Sequence, residues 1–368
     1  MRENSDYQNV LCVRPDNMGD VIMSSPAIRA LKETFGSRIT LLTSAAGAVI
    51  VPYLDCIDDV IIADLPWVGT GGLSDSGLLN LTEIIKAGNF HAAIIFTVYS
   101  QNALPTAMLL YMAGIPVRVA YARENPYDLL THWVPDKEPY ECILHQVQRD
   151  LNLVANLGAG TDDDHLIINM QFSCEHLFYQ KLYDLLPDAP GTSYFVLHPC
   201  VSEAKREYPV SYWIEVGKMI IREYNMPVLI SGSAKEIALA ETITEGIGAQ
   251  ATCVAGAFSI GEFICLINQA HGVVSVNTGT IHIAAARQTP IVVLYAQTNP
   301  QHTPWKSEQS ILPFSVPEHL QSRNAIICHV ASKYYSETVP FPEPTLVLDA
   351  LGKLVGVGCN NVFGNLEE

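Results

Sequence analysis

Val10-Leu-Cys-Val-Arg-Pro-Asp-Asn-Met-Gly-Asp20-Val-Ile is the stretch that decides the fold. A short β-rich apolar run ends in a polar loop. Ala27, Ile28, Leu31 and Phe35 then recur at helical spacing, with Pro26 read as a first-turn residue of that helix. A second apolar run follows at residues 39–43, and others at 60–63, 92–97 and 117–121, with a helical stretch at 104–112. This βαβα rhythm predicts a parallel sheet covered by helices on both faces.

Outward from there, the Gly- and Asp-rich segment 157–164 reads as a linker. The alternation then resumes, with strands at 194–197, 227–231, 253–255, 272–276 and 291–295 separated by helices. The expected organisation is α/β, with two similar domains facing one another and divided as residues 1–160 and 161–368. Residues 313–342 read as Pro-rich and irregular, and a last helix at 344–354 has no evident docking site. Ligands of such sheets gather at the carboxyl ends of strands, so the loops after strands are where chemistry is sought.

Composition narrows the partners. The formal charge is −17: residues 1–150 carry 10 basic against 17 acidic side chains, and 151–368 carry 11 against 21. An acidic chain without a basic block does not neutralise a phosphate backbone, so no nucleic-acid partner is expected. Purely electrostatic adhesion to an anionic membrane is disfavoured too. The nine cysteines show no metal-knuckle spacing and read as small buried hydrophobes. The polar start lacks a signal-peptide core, and the charge-poor stretch 87–117 is broken by polar residues and Pro105, so a cytoplasmic protein is expected.

Three loops carry residue types suited to chemistry. In the first, Gly19 permits a tight turn or close backbone approach, and Asp20 sits near a helix start, either as its cap or as a general base. In the second, Lys205 and Arg206 lie side by side after a strand. They are either a solvated pair with Glu203 or Glu207, or a site for a diphosphate. In the third, Asn277-Thr278-Gly279-Thr280 opens a small-residue helix carrying His282, whose first N–H groups form an anion site. The Gly69–Gly72 stretch lacks the last glycine of a dinucleotide fingerprint, and Asp162-Asp163-Asp164 lies in the linker and reads as a solvated turn.

Taken together these segments resemble glycosyltransferase family 9, the ADP-heptose:lipopolysaccharide heptosyltransferase family. The opening loop through Gly19-Asp20 and Pro26-Ala-Ile-Arg-Ala-Leu is similar to its R-x-x-x-x-G-D and TPALRAL segments. Gly114 to Tyr121, His145 to Leu153, His198-Pro followed by Lys205-Arg-Glu-Tyr-Pro209, and Asn277 to Ala286 resemble four more of its motifs, in order. The resemblance implies the GT-B architecture: two facing Rossmann-like domains with parallel sheets. It also implies an inverting, metal-independent transfer from a nucleotide-sugar donor, most simply ADP-heptose, to a glycan or glycolipid acceptor. No cofactor is implied, and at most peripheral contact with the inner membrane.

Carried over residue by residue, Asp20 matches the general base and Lys205 or Arg206 the cation on the diphosphate. Asn277, Thr278, Gly279, Thr280 and His282 match the donor loop, Glu236 the acid on the ribose, and Gly19 and His198 the supporting loop positions. Asn277 departs from the family's Asp, Cys200 stands where Gly is usual, and the common Ser pair before Gly19 is missing. Two alternatives stay open: a catalytically degenerate binding protein on the same fold, or a transferase with a different nucleotide-sugar donor.

Overall fold

The structure is a computed structural model and describes residues 7–69, 71–186 and 193–356; Cys359 and the rest of the C-terminal tail lie outside the described residues. The first sheet contains β1 (Asn9–Val13), β2 (Arg38–Thr43), β3 (Asp59–Ile62), β4 (Ala92–Ile95), β5 (Val117–Ala122) and β6 (His132–Pro135), in the order β3-β2-β1-β4-β5-β6. The second contains β7 (Phe195–His198), β8 (Val228–Ile230), β9 (Ala251–Cys253), β10 (Gly272–Val276), β11 (Ile291–Ala296) and β12 (Gln309–Phe314). Its order, β9-β8-β7-β10-β11-β12, repeats the first, and every neighbouring pair in both sheets is parallel. In each sheet the order reverses between the first and fourth strands, and crevices at such switch points are where ligands bind.

The helices α1 (Met18–Phe35), α2 (Ala45–Ala48), α3 (Asp75–Ala87), α4 (Leu104–Met112) and α5 (Gln146–Ala155) accompany the first sheet. Those that follow are α6 (Phe172–Leu185), α7 (Val210–Tyr224), α8 (Ile237–Ile247), α9 (Ile260–Gln269), α10 (Gly279–Arg287), α11 (Ala325–Tyr334) and α12 (Pro344–Val355). The central strands are buried on both faces: every residue of Val10–Val13 and of Gly272–Val276 is inaccessible, as a parallel sheet between helix layers requires. One apolar cluster joins the halves, with Ile22, Met23 and Ala27 of α1 in the same core as Ile281, Ile283 and Ala284 of α10.

Several expectations need correcting. α1 begins at Met18, not near Ser25, so Pro26 lies inside the helix and Gly19 in its first turn. A proline there removes one N–H, but the Ser25 hydroxyl donates to the freed carbonyl of Ile22 at 2.7 Å, so the helix continues. Residues 313–342 are not wholly irregular. They include the end of β12 and the helix α11, whose start is capped by Asn324 Oδ1 accepting from the Ile326 N–H at 2.9 Å. The last helix does dock: Val347, Ala350 and Leu351 are buried in the core that holds Trp213, Val216 and Ile220 of α7.

A cleft between two switch points

The first turns of α1 and α10 meet head to head. A Cβ on Gly19 would stand 2.9 Å from His282 Cδ2 and 3.2 Å from the Gly279 Cα, and a Cβ on Gly279 would stand 2.9 Å from Met18 Cε. Close approach, not a loop turn, is thus what favours glycine at position 19, while at Gly279 only the flexible tip of Met18 is near. The consequence is electrostatic. Two helix N-termini, each with unsatisfied N–H groups and a partial positive charge, border one cleft of about 580 Å³. Asp20, Arg206, Glu236, Asn277, Thr278, Gly279, His282 and His198 all line it; of the residues singled out above, Lys205 and Thr280 do not.

Asp20 is both cap and cleft residue. Its Oδ2 accepts from the Asn17 N–H at 3.3 Å, while Oδ1 faces the Arg14 Nη2 at 3.0 Å and the His302 Nε2 at 3.7 Å. Burial alone would raise this carboxyl; the charge and hydrogen bond of Arg14 outweigh it and hold it below the ordinary carboxylate value. Arg14 is fully buried and shared, because its Nε also faces Asp16 Oδ2 at 3.2 Å. Asp16 is left the weaker claim on that cation, and burial, aided by Asp20, raises it to about 6.

That shared guanidinium makes a pH prediction. A carboxyl raised in the folded state is protonated there while still ionised in the unfolded chain, so its share of stability is complete below about 4 and lost as pH rises to about 6. In the folded protein Asp16 takes its proton as pH falls through about 6, and the whole of Arg14's charge then turns to Asp20 and weakens it as a base. We expect kcat/KM of the wild type to fall as pH drops through 6, and Asp16→Asn to lie lower at pH 7 with no such step. A wild-type profile flat from pH 5 to 7 would exclude the coupling.

On the opposite wall, Arg206 Nη1 donates to the Asn277 carbonyl at 3.1 Å and Nη2 pairs with Glu203 at 2.7 Å. Arg206 Nε, Thr278 Oγ1 and His282 Nδ1 are buried and have no hydrogen-bond partner among the described residues. Three orphaned polar atoms around one cleft are what a polar ligand would satisfy. His198 Nδ1 lies 2.9 Å from the Ser231 hydroxyl, and burial pushes its imidazole down to about 4. Burial likewise keeps His282 and His302 neutral, at about 3 and 4. Beside the cleft, Val254, Phe258, Ile260 and Phe263 form an apolar recess of about 310 Å³ that Glu236 also lines.

Asn277 holds the donor-side loop together. Its Oδ1 accepts from the Ala296 N–H at 3.2 Å while its Nδ2 donates to the Ala296 carbonyl at 3.3 Å and to Thr298 Oγ1 at 3.1 Å. An aspartate could accept but not donate here, and would face a carbonyl oxygen. Asn277→Asp should therefore cost about 1–3 kcal/mol and lower Tm in a thermal melt; an unchanged melt would deny the strap.

His302 was not visible as a site residue, although it follows a strand end as the other site loops do. The loop after β11 is pinned into the first half by Gln301. Its Oε1 accepts from the Tyr99 N–H at 3.2 Å, its Nε2 donates to Glu138 Oε1 at 3.1 Å, and its carbonyl accepts from the Gln146 N–H at 3.0 Å. Glu138 in turn pairs with the buried Arg149. Thus the His145–Arg149 and Arg118 segments are structural: Arg118 donates to the carbonyls of Leu129, Ile115 and Asp128. Asp163, Asp164 and His165 cluster within 4.8 Å of one another, but Asp164 pairs with Lys306 and Asp163 with His165 and Arg29.

Two Rossmann-type sheets with facing switch points are the GT-B architecture. The chain belongs to glycosyltransferase family 9 (heptosyltransferase), whose model matches residues 79–326. It is 25% identical over 312 residues to lipopolysaccharide heptosyltransferase 2 of Escherichia coli, covering 80% of this chain and 84% of that one. In fold it resembles the glycosyl transferase family 9 structure from Veillonella parvula, with TM-score 0.76, 18% identity and coverage of 95% and 98% of the two chains. It also resembles E. coli heptosyltransferase WaaC with ADP-2-deoxy-2-fluoro heptose, with TM-score 0.63, 19% identity and coverage of 89% and 99%. No helix among the described residues is long and apolar enough to cross a membrane.

Proposed function

We propose that this glycosyltransferase moves heptose from ADP-heptose to a hydroxyl of a lipopolysaccharide-core type of glycan, inverting the anomeric centre without a metal. Residues 1–160 form the acceptor side and 161–368 the donor side. The observation that carries the reading is Asp20 Oδ1 facing, across one cleft, a wall of orphaned donors at Arg206, Thr278 and the start of α10. The names of the relatives supply the donor and the acceptor class.

The adenine fits the apolar recess at Phe258 and Phe263, with Glu236 at its edge for the ribose hydroxyls. The diphosphate then lies against Arg206 and the first N–H groups of α10. The acceptor oxygen attacks C1, the C1–O bond to the diphosphate breaks, ADP leaves, and the hydroxyl proton passes to Asp20. A carboxylate held low by Arg14 accepts that proton late, when the forming C–O bond has made the hydroxyl acidic. The departing charge meets a cation and two helix N-termini, so this geometry needs no metal ion. Asn277, tied into the loop by both its amide atoms, does not mark a degenerate site.

On this reading the enzyme works in the cytoplasm, with at most peripheral contact at the cytoplasmic face of the inner membrane. The test is a thermal-shift series over ADP-, UDP-, GDP- and CDP-sugars, followed by ADP release from ADP-heptose with a lipopolysaccharide-core acceptor. Stabilisation by another nucleotide sugar and none by ADP-heptose would refute the donor assignment.

A further inference from the structure

The loop after β11 brings His302 to Asp20, and the hydrogen bonds around it fix where the imidazole carries its proton. Asn299 Oδ1 accepts from the Gln301 N–H at 3.0 Å, which orients that amide. Its Nδ2, able only to donate, therefore faces His302 Nε2 at 3.2 Å. Nε2 is then the bare nitrogen, and the neutral ring carries its proton on Nδ1. The backbone holds this pose: the His302 N–H donates to the Asn299 carbonyl at 3.3 Å, and Gln301 ties the loop to the first half.

Asp20 Oδ1 lies 3.7 Å from that bare nitrogen. Both atoms are acceptors, and the distance is longer than a hydrogen bond. Among the described residues Asn299 is the one donor to Nε2, and Arg14 the one side-chain donor to Oδ1. A structural carboxylate–histidine pair points an N–H at the oxygen; this one does not. Two acceptors held face to face in the wall of a cleft are one proton short of a hydrogen bond.

The reaction supplies that proton. Resting on the role given to Asp20 above, we propose that His302 Nε2 takes from Asp20 the proton that Asp20 takes from the acceptor hydroxyl. The hydroxyl proton first passes to Asp20 Oδ1 as the oxygen bonds to C1 and the C1–O bond to the diphosphate breaks. It then moves from Oδ1 to Nε2, which restores the carboxylate and leaves an imidazolium. The imidazolium gives a proton to water, and the resting tautomer returns. Asp20 is held below the ordinary carboxylate value while His302 sits at about 4, so the imidazole is no weaker a base than the carboxylate it relieves. Burial keeps it down there against the pull of Asp20, so the last step runs downhill at neutral pH. His302 also borders a neighbouring space of about 480 Å³, which gives the proton an exit that does not cross the donor. His302 thus acts through Asp20, as a positioning residue for its proton.

The test begins without substrate. In the full-length protein with isotopically labelled histidine, nitrogen NMR at pH 7 should show His302 Nε2 bare and Nδ1 protonated, the signals being assigned by their absence from His302→Gln. A proton on Nε2 in the free enzyme would overturn the relay. Turnover is then followed as ADP release from ADP-heptose with a lipopolysaccharide-core acceptor. His302→Ala should lower kcat about 10²-fold, the low end for a positioned proton-transfer group. ADP affinity by calorimetry should stay within about twofold of wild type, and added imidazole should return about tenfold of the lost rate. His302→Gln can hydrogen-bond to a protonated Asp20 but cannot take its proton, so it should be as slow as the alanine variant. Wild-type turnover in His302→Gln would show that a hydrogen bond suffices, and slow variants that imidazole does not lift would leave His302 a packing role. Either result overturns the proposal. Absence of ADP release by the wild type would instead strike the proposed function, since the tautomer is read on the free protein.

Discussion

Asp20→Asn should lower kcat about 10²- to 10⁴-fold, the usual contribution of a positioned base, while ADP binds as before. The substitution leaves the size of the side chain unchanged and removes its ability to take a proton. Arg14, which is fully buried, keeps Asp16 as its counter-charge, so the change does not strand an unpaired cation. One amide oxygen cannot serve both the Asn17 N–H and Arg14, and losing the cap should cost about 1 kcal/mol. The expected result is a modestly less stable, donor-binding, nearly inactive protein, checked by melting, calorimetry and ADP release. Turnover within tenfold of wild type would show that another group takes the proton, and His302, whose Nε2 lies 3.7 Å from Asp20 Oδ1, is the first to examine.

The sheets were legible because buried parallel strands leave a plain mark. Val10 to Val13 and Gly272 to Val276 are unbroken apolar or small-residue runs, and both proved buried throughout. Edge elements carry less of that signal: β6 and β12 have alternating, half-exposed patterns and were not read, nor were α3 and α6. Pro26 points to a later start for α1 because a proline usually sits in a helix's first turn, whereas here Ser25 compensates for it locally inside the helix. Nothing in the sequence alone shows which carbonyl a serine will satisfy.

At the site, the loop-after-strand rule found Asp20, Arg206 and Asn277 to Thr280. It applied equally to the loop after β11, yet His302 and Gln301 there belong to no motif and gain meaning only from contacts more than a hundred residues away in sequence. The adjacency of Lys205 and Arg206 left their roles unresolved. A short turn at Ala204–Arg206 brings Arg206 into the cleft and leaves Lys205 out of it, and spacing alone does not report that.

Arg206→Gln is the second large effect expected, and it separates leaving-group stabilisation from simple binding. The guanidinium has one N–H committed to the Asn277 carbonyl and another group to Glu203, while its buried Nε has no partner. In the ground state the diphosphate already carries charge, so losing the cation should weaken ADP binding. More charge reaches the diphosphate as the C1–O bond breaks, and a preorganised donor is worth most where charge develops, so kcat should fall about 10²- to 10³-fold. The drop in kcat should therefore exceed the loss of ADP affinity, a split that uniform binding does not produce. Glutamine retains donors but not the charge, and Glu203 keeps Lys205 as its partner, so the turn should stay folded. A variant that raises the donor KM with kcat unchanged would place Arg206 in binding alone, leaving the start of α10 to stabilise the departing diphosphate.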